Sequence, residues 1–279
     1  MPTKAEQYCA KESNNSKHAL VSFSFDDGRE DTYRVAFNIM KEWGLVGTIH
    51  VTTGWVDGSW STPNWPSAVK GAMTIEQIQE CYNAGFEITS HGDQHITEGD
   101  DLRVSLNKLK QWGVVDPEYL GFSSPNSELS IGNKAVITRA LNGNNIKYVR
   151  SGRSATCYSL PMKIIYGLDL LTGSKWLFRI FNENNSIKSG NDLFLLPSSV
   201  IKSNNSAKQV ITLLQGSLHT KAWNILMLHS LLKSQDQGYG KDPWYWDAEE
   251  FKELCQWLSS HEKDITVVTI KAGRKALGG

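Results

Sequence analysis

The chain has 279 residues, 40% hydrophobic and 21% charged, an ordinary globular composition far from the disordered regime. Lys plus Arg and Asp plus Glu number 29 each, so the formal charge is zero. That excludes a basic field for nucleic acid and favours a neutral or locally charged substrate over a polyanion. No apolar run reaches the ~18–20 residues of a membrane span.

Residues Met1 to Ser16 contain no apolar stretch of the kind that opens a secretory leader, so a cytoplasmic chain is expected, or an exported one whose leader has been removed. Ala19 to Phe25 is a β-rich run that ends at the turn signal Asp26-Asp27-Gly28. Glu30 to Trp43 carries a helical apolar pattern closed by Gly44, and Gly47 to Thr52 is a second strand. A long loop, Gly54 to Gly71, holds Trp55, Trp60 and Trp65. Thr74 opens a helix with Gln77 three residues on, a capping-box pattern, and Phe86 to Thr89 is a third strand. Leu102 to Trp112 reads as helix, Leu120 to Phe122 as strand, Ile131 to Leu141 as helix and Ile146 to Val149 as strand. Residues 151 to 190 read as irregular. Strand at Leu193 to Leu196 and helix at Ser206 to Leu218 follow. Trp223 to Leu228 is a continuous apolar run, typical of a strand buried on both faces. Asp247-Ala-Glu-Glu250 is a second capping-box pattern, opening a helix to about Ser259, and Ile265 to Ile270 is the last strand.

This alternation gives seven or eight strands, most followed by a helix. It predicts an α/β fold with a parallel sheet closed as a barrel, in one domain over 1–279 with its core at about 19–271. Of the cysteines at 9, 81, 157 and 255, none forms a C-x-x-C pair; Cys81 and Cys255 fall on helical apolar faces and are expected to be buried thiols. Trp43, Trp112 and Trp257 sit in helical patterns and are expected in the core. The sequons at Asn14, Asn184 and Asn204 are read as chance in an asparagine-rich chain. Nothing in the sequence indicates an oligomeric state.

The chemistry-bearing residues collect where strands hand over to loops. Asp26 and Asp27 follow the first strand, His91 and His95 the third, Pro125 and Asn126 the fourth, and His229 the strand at 223–228. In a βα barrel those ends share the face that carries the active site. Two histidines four residues apart share one side of a helical turn, and a carboxylate from another strand completes an N,N,O set with open positions. Such a set suits zinc or another divalent transition metal that also holds water. Adjacent side chains on extended backbone diverge, so Asp26 and Asp27 are expected to serve different purposes. His229, ending an apolar strand on this face, is a general-acid candidate.

These residues are recognisable. Ser24-Phe25-Asp26-Asp27-Gly28 resembles the T-F-D-D-G motif of the NodB-homology polysaccharide deacetylases, carbohydrate esterase family 4, and Ser90-His91-Gly92-Asp93-Gln94-His95 resembles that family's H-x-x-x-H motif. Met73 to Ile78, Gly85 to Ile88 and the Leu226-Met227-Leu228-His229 segment are similar to its connecting and late L-x-H sequences, so the likeness runs from about Leu20 to Ile270. The resemblance implies a distorted, TIM-like (β/α) barrel of about seven parallel strands. It implies Asp26 as catalytic base, Asp27, His91 and His95 as ligands of one divalent metal, and His229 as general acid. Zinc is the first expectation, with cobalt or nickel as alternatives.

The implied reaction removes acetyl groups from a carbohydrate, N-deacetylation of amino sugars first, through a metal-activated water. The backbone N–H of Asn126, after Pro125, would help hold the oxyanion. Met227 or Leu228 would pack on the acetyl methyl, and Trp246, with Trp244 and Tyr245, would rim the sugar site. The motif departs from the family at Ser123, where an arginine that supports the base is expected; Arg150 or Arg153 could reach in from the next loop. Two other readings stand beside this one: an O-acetyl esterase on glycans such as xylan, and a carbohydrate-binding protein that has kept the fold and lost the chemistry.

Overall fold

The computed structural model describes residues 18–61, 71–131, 141 and 143–279. Strands β1 (Ala19–Phe25), β2 (Thr48–Val51), β3 (Glu87–Ser90), β4 (Leu120–Ser123), β5 (Ile146–Arg150), β6 (Leu195–Leu196), β7 (Ser199–Val200) and β8 (Trp223–Leu228) pair in parallel in the order β6-β5-β4-β3-β2-β1-β8-β7. β6 and β7 are one extended stretch interrupted by Pro197 and Ser198, the first part pairing with β5 and the second with β8. Proline has no N–H to give to a ladder, so the chain changes partner there. The sheet thereby curls until its ends meet, giving a distorted (β/α) barrel of seven parallel strand positions. β11 (Ile265–Val267) pairs with the first residues of β1, filling the gap below β2, which joins β1 at Ser24 and Phe25. A separate parallel pair, β9 (Ser230–Leu232) with β10 (Tyr245–Asp247), covers the mouth beyond β8.

Side chains alternate along a strand, and here the two faces carry different chemistry. The outward face of β1 presents Ala19, Val21, Phe23 and Phe25, all fully buried under helices; Phe23 meets Phe251 edge-to-face at 5.3 Å between centroids. The inward face carries Leu20, Ser22 and Ser24, fills the barrel with polar contacts and leads directly to Asp26. The indole N–H of Trp223 donates to Ser22 Oγ at 2.9 Å, and His50 Nε2 lies 2.9 Å from Ser24 Oγ. Gly121 leaves room for the Tyr148 ring, whose hydroxyl donates to Glu87 Oε1 at 2.7 Å. Thr48 Oγ1 and the backbone N–H of Lys271 donate to Glu87 Oε2, closing the barrel floor.

The outer layer begins with a π-helical turn, Thr32–Phe37, running into α1 (Asn38–Glu42). It continues with α2 (Thr53–Val56), α3 (Ile75–Asn83), α4 (Gly99–Gln111), α5 (Leu160–Thr172), α6 (Lys175–Asn182), α7 (Ala207–Thr220), α8 (Ala248–Ser260) and α9 (Ile270–Ala276). Thr74 and Gln77 form the expected reciprocal capping box, and Ser206 with Gln209 forms another. Asp247 caps α8 by accepting from the N–H groups of Glu249 and Glu250. Cys81 and Cys255 are buried, and Trp43, Trp112 and Trp257 pack half-buried against the core edge.

Three expectations need correction. Residues 151–190, read as irregular, contain α5 and α6. Of the 13 residues of α5 the buried one is Asp169, while Leu160, Ile164, Leu168 and Leu171 are exposed, so the segment lacks the apolar stripe that marks a packed helix. The last strand ends at Val267, and Ile270 opens α9 with Thr269 as its cap. The β9–β10 pair was not foreseen: its strands have 3 residues each, too short for a period-two signal. The helix expected at Ile131 to Leu141 lies outside the described residues apart from its ends, and Cys9, Asn14 and Trp65 lie outside them too.

Candidate active site and metal centre

The mouth is built at the carboxyl ends of β1, β3, β4, β5 and β8. The inward register of β1 delivers Asp26, whose N–H donates to Leu228 O at 2.9 Å. Asp27 then leaves the strand with φ 78°, and Gly28 follows at 79°. Two successive positive φ values turn the chain at once, which only Gly, Asn or Asp tolerate cheaply. The turn swings the Asp27 carboxylate toward the loop after β3.

In that loop His91 and His95 meet, with ring centroids 4.8 Å apart. The four-residue spacing was expected to act through a helical turn; the chain instead makes a tight loop in which Gly92 has φ 84° and His95 φ 56°. Asp101, in the first turn of α4, holds it by accepting from the N–H groups of Asp93 (2.7 Å) and Gln94 (2.8 Å). Two of the three candidate ligands, Asp27 and His95, therefore sit on left-handed backbone, the kind of local strain that clusters at functional sites.

Ligand atoms of Asp27, His91 and His95 all lie within 4.8 Å of one another. Asp27 Oδ1 is 3.4 Å from His91 Nε2 and 3.7 Å from His95 Nε2. His91 Nδ1 lies 2.9 Å from the carbonyl oxygen of Ser123; a carbonyl can only accept, so Nδ1 donates there and Nε2 faces Asp27. Burial, helped by the His91 charge, depresses His95 to about 4, so it is a neutral donor at neutral pH. Burial pushes the Asp27 carboxyl up, but Arg29 together with His91 and His229 holds the group well below the usual carboxylate range. Arg29 Nε donates to Asp27 Oδ2 at 2.7 Å and its Nη1 to Ser230 Oγ at 3.0 Å, leaving Oδ1 toward the histidines. Two imidazoles and one fixed carboxylate oxygen are a donor set that fits zinc, cobalt or nickel.

Beside this set lies the second carboxylate. Arg150 Nη2 donates both to Asp26 Oδ1 and to Ser123 Oγ, with the three side chains fully or almost fully buried. The register explains this: Ser123 and Arg150 are directly paired on β4 and β5, so an arginine one strand away reaches the level where the motif lacks one. Arg150, of the two candidates, supplies the missing charge; Arg153 instead stacks on Tyr166 and Phe181, with its guanidinium 4.5 and 5.0 Å from their rings. Burial pushes the Asp26 carboxyl up, but Arg150, then His91, His229 and His50, bring it down to about 2. His229 Nε2 stands 4.0 Å from Asp26 Oδ2, and burial lowers its pKa.

The remaining expected contacts divide. Met227 continues the inward face of β8, with its sulfur against Arg150 Nη1. Pro125 is buried, and Asn126 is exposed just beyond β4 on left-handed backbone (φ 53°). Leu228 is a correction: it alternates outward into the core cluster under the helices and is 0% exposed. Trp246 is another: it is 1% exposed, lies edge-on to Phe251, and its indole N–H donates to Asn205 O at 2.8 Å. Trp244, which precedes β10, is instead 37% exposed, with its ring 5.0 Å from that of His229. Arg29, Asp101 and the Ser123 carbonyl were not anticipated. Asp101 stands where an acidic first turn is ordinary, and a buried Arg29 two residues past a ligand carries no signal of its own.

The polysaccharide deacetylase family model matches residues 13–119, the stretch that contains Asp26, Asp27, His91 and His95. The matched stretch is similar to that family over these motifs and covers less than half of the chain. Among curated proteins no sequence relative matches. Among solved structures the chain is similar to the Xyl-CE4 domain of a multidomain xylanase from the hindgut metagenome of Trinervitermes trinervoides (16% identity, TM-score 0.48, covering 92% of this chain and 91% of that one). It is also similar to a family 4 acetyl xylan esterase of Clostridium thermocellum in complex with a cobalt ion (17%, 0.43, 90% and 88%). A third is the peptidoglycan deacetylase PdaC of Bacillus subtilis (12%, 0.44, 93% and 94%).

Proposed function

We propose that the protein is a metal-dependent carbohydrate deacetylase, with N-acetylated amino sugars as its first substrate class. The observation that carries this reading is the convergence of the Asp27, His91 and His95 donors beside a second, separately held carboxylate, Asp26. A divalent metal on those donors would supply an acidified water and polarise the acetyl carbonyl. Asp26, ionised at neutral pH and oriented by Arg150, accepts the proton of the attacking water. In this reading the Asn126 N–H assists the oxyanion from the rim, and Met227, packed on Arg150, borders the acetyl group. His229, 4.0 Å from Asp26, takes up the proton that Asp26 has accepted from the water and passes it to the leaving nitrogen or oxygen. The case for a protein that binds glycans without chemistry rested on the absence of an arginine at 123, and Arg150 removes that motive.

The test is an acetate-release screen on N-acetylated and O-acetylated oligosaccharides with zinc, cobalt or nickel added. Release from N-acetylated chains that disappears in Asp26→Asn supports the reading. Release confined to O-acetylated chains moves it to an esterase, and none from either class, with metal bound, overturns it.

A further inference from the structure

Past His229 the wall of the mouth becomes cationic. Lys202 Nζ stands 5.5 Å from the ring of Trp244, which itself lies against His229. The Arg153 guanidinium lies over the Tyr166 ring at 4.5 Å, and Lys202 stands beside Tyr166, so both positive charges bear on its hydroxyl and favour its ionised form. These groups line one small pocket together with Asn204 and Asn205. Neither cation takes part in an ion pair among the described residues, and the buried Arg153 Nε has no hydrogen-bond partner there. The carboxyl that lines the pocket, Asp169, is buried and already hydrogen-bonded by Gln209 Nε2 at 3.2 Å. In a chain of zero formal charge this is a local excess, not a general field.

Two cations kept against aromatic faces without counter-charges are arranged for an anion that arrives with a ligand. Trp244 offers a partly exposed face between the acid candidate and Lys202, so a sugar ring stacked on it would carry its substituents over the pocket. We propose that Arg153, Lys202 and the Tyr166 hydroxyl form a subsite for an anionic substituent of the glycan, a sugar carboxylate or a phosphate. The proposal rests on the carbohydrate reading above and names the class of sugar that the site selects.

The experiment measures binding without turnover. Xylo-oligosaccharides of equal length, with and without a glucuronic acid branch and carrying no acetyl group, are titrated into the whole protein while tryptophan fluorescence is read; a phosphorylated oligosaccharide forms the third arm. The expected result is at least tenfold tighter binding of an anionic ligand at low salt, a preference that shrinks in 0.5 M salt, as screening requires. Lys202→Gln and Arg153→Met should each remove about fivefold or more of that preference and leave the neutral ligand within twofold. Preference for phosphate over carboxylate keeps the subsite and assigns its ligand. Equal binding of all three, or variants that weaken neutral and anionic ligands alike, overturns the proposal. Since no acetyl group is involved, failure of the deacetylase reading shows in acetate release and failure of the subsite shows in the titration.

Discussion

The two sides of the barrel mouth are organised by different rules. Asp27, His91 and His95 come from the ends of β1 and β3, and their geometry is written into two short loops: Asp27-Gly28 and Gly92 to His95, with four left-handed residues between them. The support of Asp26 comes from across the barrel, where Arg150 on β5 reaches over Ser123 on β4, and His229 arrives from the end of β8. One side is held by local backbone conformation and the other by strand register. A local device is fixed in place by its own sequence, whereas an arginine in a register can come from either of two neighbouring strands at the same level.

The comparison predicts a graded set of losses. Asp27→Ala or His91→Ala should abolish stoichiometric metal binding and lower acetate release by about a thousandfold or more, since the metal and its water go together; elemental analysis and an acetate assay check both. Asp26→Asn should keep the metal and lose about 10²–10⁴ in kcat. Arg150→Ser should also keep the metal while kcat falls by tens-fold, since a buried carboxylate loses its cation. The double variant Arg150→Ser with Ser123→Arg should regain part of that loss if register level, and not the particular strand, is what matters. No recovery in a protein of wild-type melting temperature would break the comparison.

Smaller effects separate core from rim. Trp246→Ala should cost about 3–5 kcal/mol by denaturant unfolding, as for a buried large aromatic. Trp244→Ala should leave stability nearly unchanged and raise KM. Asp31 gives the pH signature of the loop after Asp27. Burial pushes its carboxyl up to about 7, against the backbone N–H of Leu231 and the Arg29 charge. A carboxyl with a raised folded-state pKa binds its proton more tightly when folded, so stability falls as pH rises from about 4 to about 7. The melting temperature of Asp31→Asn relative to wild type should therefore climb across that window and level off above it. A flat difference would place Asp31 outside this titration.

Much of the metal side was legible in the sequence. Asp-Asp-Gly after a β-rich run and two histidines after another strand point to one barrel face, because the side-chain period and the βα order are both local patterns. The same locality misled at His91 to His95, where helical spacing was the expectation and glycine-assisted loop geometry the outcome. Leu228 was misplaced because adjacent residues on a strand face opposite ways, and Trp246 because its burial against Phe251 is decided by tertiary packing. Arg150 was one of two candidates and could not be separated from Arg153 without the β4–β5 register. Helix α5 was hidden because its apolar residues do not line one buried face, whereas α6, which buries Phe178 and Phe181 on one side, is short at 8 residues.

The central claim is that Asp27, His91 and His95 hold one metal that the reaction needs. It is tested most directly by stripping the protein with a chelator and titrating zinc back while acetate release from an N-acetylated oligosaccharide is followed. The expected result is loss of activity on stripping, recovery complete at one equivalent, and no recovery in His91→Ala. Full turnover after stripping, or equal recovery in His91→Ala, would contradict it.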